Sequence, residues 1–158
     1  MRKSGSEEGA TLVEYGLIAL VFLALLFGCL EFSYAFYTYH NISDAARKAV
    51  RWASVRGSQS CLNVPTLPNC DASATDVTAY VQGIGYPGVL PSGMHVTTKW
   101  CDASTTTPGT WTTCTAGSSN APGNQVQVTV SYTFPIRLPY LTVTSLSLTN
   151  TANMVIVQ

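Results

Sequence analysis

Three groups of side chains in this 158-residue chain have types and spacings that could do chemistry: five cysteines, two histidines, and one carboxylate, Glu14, in an otherwise uncharged run. Cys61 and Cys70 are nine apart, and Cys101 and Cys114 thirteen apart, each pair bracketing a turn-rich stretch. Neither spacing is the C-x-x-C of a zinc knuckle or a thioredoxin-type redox site. Four cysteines allow three pairings. Nearest-neighbour pairing, 61 with 70 and 101 with 114, is favoured over free buried thiols. Each closed loop would add up to about 3 kcal/mol by restricting the unfolded chain. Disulfides belong to an exported domain. Cys29 is the odd cysteine and lies in an apolar segment. His40 and His95 have no neighbours at metal-ligand spacing, and no H-E-x-x-H occurs, so neither metal nor cofactor is expected. Signatures of a nucleophile elbow, a phosphate loop or a dinucleotide fold are also missing, and the glycines from Gly83 to Gly93 read as turns. Trp100 and Trp111 read as packing residues. The expectation is therefore a chain without enzymatic activity.

The elements that carry these residues divide the chain sharply. Eight basic and eight acidic residues sum to zero and form 10% of the sequence, against roughly 25% in an average soluble domain. So few cations cannot line a groove for nucleic acid, and 46% hydrophobic residues exclude a disordered charged tail. From Ala10 to Leu30 the only charge is Glu14, and apolar residues cover every face. Twenty-one residues make about 31 Å of helix, one hydrocarbon thickness. Arg2 and Lys3 precede this run, and no Lys or Arg follows until Arg47. The positive-inside rule then keeps the N-terminus in the cytoplasm and exports the rest. Aromatic residues at 32, 34, 36, 37 and 39 suit the far membrane interface.

Beyond the span, Phe32, Phe36, Tyr39, Ala46, Val50 and Ala53 recur at helical spacing, opposite Asp44, Arg47, Lys48 and Arg51. One helix from about Ala10 to Arg56, ending near Gly57, would be about 70 Å long. Residues 58–72 read as loop. Val77, Tyr80, Val81 and Ile84 give a short helix capped by Ser73 or Asp71. Met94 to Trp100 and Val126 to Phe134 alternate as strands, the second interrupted by Pro135 and Pro139. Ala103 to Asn124 reads as a long hairpin connection, and Leu141–Leu148 and Ala152–Val157 as two further strands. The fold class is α+β: a long N-terminal helix followed by a small antiparallel sheet with one short helix. The expected organisation is a leader over 1–9, a transmembrane helix over 10–30, an amphipathic stalk over 31–57, and an exported disulfide-bearing domain over 58–158.

The junction of leader and span carries the most specific pattern. Gly9 is followed by Ala10, Thr11, Leu12, Val13, Glu14 and Tyr15, then by the apolar run. This resembles the prepilin-peptidase site of type IV pilin-like proteins in the form used by the Tad (tight adherence) pilus. With Glu31-Phe32 ending the span and Ala45-Ala46-Arg47 following, residues 9 to about 56 look like the TadE-like family of pseudopilins. The length implies the short TadE or TadF type rather than the larger TadG type. The resemblance implies a structural component of Tad pilus assembly, cut after Gly9 so that Ala10 becomes the N-terminus. Its implied partners are the prepilin peptidase, other pilins and pseudopilins, and the inner-membrane assembly platform. Its implied location is the bacterial inner membrane, as a single-pass protein with the C-terminal domain outside the cytoplasm, or in the pilus itself. Glu14 would pair with the new amine of a neighbouring subunit's Ala10; the simpler reading is a carboxylate that snorkels to headgroups. Two other processing routes compete: a lipobox ending at Cys29, with bulky Phe27 against it, and signal-peptidase cleavage near Ala35, where small residues are poorly placed. The alternative function is a membrane-tethered or lipidated exported binding module that recognises an envelope or surface partner.

Overall fold

A single helix, α1, runs from Gly5 to Ser54 without a break. Fifty residues give it about 75 Å of length. The computed structural model describes residues 5–102, 119–136 and 144–157, with no side chains described at 5–8 and 144. The apolar half of α1 holds an 18-residue window of mean hydropathy 2.3, none of it buried, long and apolar enough to cross a membrane. The later half is built into the core. There Thr38, Ile42, Ala45, Ala46, Ala49, Val50 and Ala53 are all buried. The helix ends at Ser54, three residues before Gly57.

After α1 come a single turn, α2 (Ser60–Asn63), then α3 (Ala74–Ile84), and a 3₁₀ turn at Pro91–Gly93. Residues 58–72 are therefore not purely loop. Ser73 caps α3 through a capping box: its hydroxyl accepts from the backbone of Asp76, whose carboxylate accepts from the Ser73 backbone. The Ser73 hydroxyl, which also donates to that carboxylate, and then the Ser73 backbone N–H hold the Asp76 carboxyl below its ordinary pKa.

Three antiparallel strands follow: β1 (Met94–Cys101), β2 (Gln125–Ile136) and β3 (Thr144–Val155), in spatial order β1-β2-β3. On β2 the alternation is fully realised, with Val126, Val128, Val130, Tyr132 and Phe134 all buried. Their face receives α1, and α3 packs beside it against β1 and α1. The opposite face is polar, with Thr129 and Thr151 hydrogen-bonded across the sheet at 2.9 Å.

Three expectations need correction. Where two strands were expected at the C-terminus, β3 is one strand, paired with β2 in unbroken register from Gln125↔Val155 to Ile136↔Thr144. Residues 141–143 lie outside the described residues. Pro135 does not interrupt β2. The last β1 partner is Met94, opposite Tyr132, so Pro135 sits where β2 has an open edge and a missing N–H costs no ladder bond to β1. Pro139 lies outside the described residues, as does most of the expected 103–124 connection. The third correction concerns the stalk. Ala46, Val50 and Ala53 face the core as expected, but Phe32 and Phe36 are 73% and 56% exposed, and Tyr39 is also exposed. Small side chains at 38, 45, 46, 49 and 53 let the helix backbone lie close to the sheet; large rings at those positions would hold it off.

Candidate functional site: the N-terminal helix and its junction with the sheet

Gly9, Ala10, Glu14 and Tyr15 all lie on the exposed first turns of α1. Ala10 and Glu14 are four apart, so they share a helix face. Among the described residues no side chain approaches Glu14 in an ion pair or hydrogen bond, and Tyr15 is 73% exposed. The Glu14 and Tyr15 side chains are thus open to whatever surrounds the helix. Cys29, farther along the same helix, is a free and exposed cysteine.

Two of the expected disulfide residues are joined: Cys61 with Cys70, with their Cα atoms 4.9 Å apart. The bridge closes the segment after α1, and Asn69, with φ of 53°, makes the turn into Cys70. Cys101 is also disulfide-bonded; Cys114 and Trp111 lie outside the described residues. His40 packs edge-on against Phe36 at 4.5 Å, while His95 is exposed on β1. Among the described residues no three His, Cys, Asp or Glu side chains gather as a metal site would require.

What positions the exposed helix is a set of contacts just past its apolar half. The Tyr34 hydroxyl donates to the Gly88 carbonyl at 2.5 Å, and its ring meets Phe134 edge-on at 5.2 Å. Gly88 has φ of 77°, and a Cβ there would lie 2.6 Å from the Tyr34 oxygen, so glycine is required twice over. Ten residues up the helix, Tyr86 donates to Asp44 at 2.8 Å and Lys48 pairs with the same carboxylate at 2.7 Å. Lys48 is the main reason that the Asp44 carboxyl stays below its ordinary pKa; partial burial opposes it and Tyr86 adds to it. Burial, then the Asp44 bond, pushes the Tyr86 phenol well above its usual value, so it remains a donor. Nearer the helix end, Trp52 stacks on Tyr80 at 5.0 Å and Arg56 lies over Trp52 at 4.3 Å. Val157 then donates to the Ser54 carbonyl at 3.0 Å. Together these contacts fix α1 along the sheet from Tyr34 to Ser54. An open recess of about 240 Å³, lined by Phe27, Leu30, Glu31 and Tyr34, marks where the apolar half leaves the sheet.

Sequence reasoning missed Tyr34 and Tyr86 as locks. A signal was present: Tyr86 and Gly88 fall in a turn with no charge of its own, and a tyrosine there needs a polar partner when packed. Residues 9–51 match the TadE-like protein family, a span that takes in Gly9, Glu14 and most of α1. No curated protein and no solved structure matches the chain.

Proposed function

We propose, from the TadE-like match over residues 9–51, that this chain is a pilin-like structural component of a Tad pilus system. A TadE-like segment on an N-terminal apolar helix fits a pseudopilin of that system at family level. The observation that carries the reading is the state of α1. From Ala10 to Leu30 it is exposed on every face and bears one carboxylate, Glu14, five residues after Gly9. Such a helix is complete only when lipid or other helices surround it.

In this reading a prepilin peptidase hydrolyses the Gly9–Ala10 bond, leaving a carboxylate on Gly9 and a free amine on Ala10. The charges removed with the leader are Arg2, Lys3, Glu7 and Glu8, which cancel. An ionised Glu14 in the bilayer costs about 2.5 kcal/mol or more near its centre and less toward the interface. The amine of Ala10 in an adjacent subunit offsets that cost when helices stack, so the pair favours assembly over separate helices. The rest of the chain is held outside the cytoplasm on the far end of α1, and the protein sits in the inner membrane or enters the fibre. Its partners are the peptidase, other pilins and pseudopilins, and the assembly platform; its role is structural rather than enzymatic.

The test is Glu14→Val in the producing cell. Cleavage after Gly9 is expected to persist while the chain no longer co-purifies with other pilins and piliation falls. Unchanged co-purification and piliation would remove Glu14 from the mechanism.

A further inference from the structure

We propose that the sheet domain rests on the bilayer, with the Gly88–Leu90 segment and the adjoining ends of β2 and β3 seated in the headgroup layer beside α1. This rests on the reading of Ala10–Leu30 as the span. Tyr34 lies four residues past Leu30, which is about 6 Å along the helix. The polar interface of a bilayer is about 5–7 Å thick on each side. Helical side chains lean toward the N-terminus, so a tyrosine hydroxyl on α1 sits at or below the level of its own Cα. The Gly88 carbonyl bonded to Tyr34 is therefore held at headgroup depth.

The sheet reaches the same level. The Tyr34–Phe134 contact at one end and the Ser54–Met154 contact at the other lay the strands along α1. Past Phe134, β2 continues two residues to Ile136, about 7 Å farther toward the span. Leu146, opposite Phe134 on β3, is 43% exposed, and Leu90, two residues after Gly88, is 68% exposed.

Leu30, four residues before Tyr34 on the same helix face, is 59% exposed and extends this rim toward the span. Apart from Glu31, which lines the recess beside Tyr34, the charges of the described residues lie away from the rim. Residues 77–94 contain no Asp, Glu, Lys or Arg, nor do the described parts of β2 and β3. Arg51, Arg56, Asp71 and Asp76 lie toward the opposite end, where Arg56 bonds the Pro68 carbonyl and Asp71 accepts from Asn120. A rim dominated by Leu, Pro and aromatic side chains at this depth, with Glu31 as its one charge among the described residues, meets lipid. Tyr34 and Tyr37, amphipathic and exposed, are the residue type that populates such interfaces.

The test is depth-dependent quenching of the full chain in vesicles of phosphatidylethanolamine and phosphatidylglycerol. Cys29→Ser removes the native thiol, and bimane is placed by Leu90→Cys, by Leu146→Cys as an independent site, by Leu20→Cys in the span and by Thr75→Cys at the start of α3. Lipids carrying a nitroxide at the headgroup or deep in the acyl chain serve as quenchers. Loss of emission at 90 and 146 with the headgroup nitroxide, and none at 75, is expected. Quenching at 20 by the deep nitroxide with none at 90 or 146 would overturn the seated domain and leave the span standing. No deep quenching at 20 would overturn the span, and the proposal with it.

Discussion

Replacing Ala49 by leucine tests which face of the helix builds the core. Ala49 is fully buried between α1 and the sheet, as are its neighbours Ala45, Ala46 and Ala53. Leucine adds three carbons. Were there room, their burial would stabilise by about 2.4 kcal/mol, at about 0.8 kcal/mol for each. No room is available where four alanines set the helix-to-sheet distance, so the added volume must push the helix outward or force the side chain off-rotamer. Overpacking of this kind costs about 1–3 kcal/mol net. Helix propensity changes little between Ala and Leu, so it does not confuse the comparison. The control is Phe36→Ala. Phe36 is 56% exposed and touches His40 on its own helix, so its loss should stay within about 0.5 kcal/mol. Urea unfolding of the detergent-solubilised full chain, followed by tryptophan emission, reads both, because Trp52 stacks on Tyr80 across the α1–α3 contact. A midpoint that falls for Ala49→Leu and holds for Phe36→Ala is the expected result. The reverse order would mean that the aromatic stripe, not the alanine stripe, faces the sheet, and the packing described above would be wrong.

Two further outcomes follow from the region around that helix. Replacing Cys61 and Cys70 together by alanine removes a short covalent loop and should lower the unfolding free energy by about 2.5 kcal/mol, measured by the same urea titration. For Asp44→Asn, the sign follows from a folded-state carboxyl pKa lowered below 3.8. The wild-type advantage is full above 3.8 and disappears as pH falls through the lower folded value. Because the Asp44–Lys48 pair is about half exposed, the advantage should be under about 1 kcal/mol, seen as a gap between unfolding midpoints at pH 6 that closes near pH 2.

The parts that could be read from sequence were those in which one physical rule acts alone. A run apolar on every face gives the exposed half of α1. Strict alternation from Val126 to Phe134 gives β2, and Ser73 with Asp76 gives the start of α3. Reading failed where two rules compete. On the stalk, large aromatic rings and small alanines both recur at helical spacing, and hydrophobicity alone favours the rings. Close packing of a helix on a sheet selects the alanines instead. On β3, Asn150 occupies an inward position opposite Val130 and breaks the apolar alternation, which split the strand in two. Its amide lies 3.5 Å from the Tyr39 hydroxyl, a partner that no local pattern could supply. The motif around Gly9 was readable for a different reason: it lies on the exposed first turns of α1, away from the sheet, so its meaning lies in spacing rather than in tertiary packing.

That spacing is the basis of the central claim, that the chain follows the pilin route. The most direct measurement is the intact mass and N-terminal sequence of the protein recovered from the membrane of its producing cell. A chain beginning Ala10-Thr11-Leu12, with Cys29 unmodified, is the predicted result. A chain that retains Met1, or one that begins at a lipidated Cys29, would contradict it.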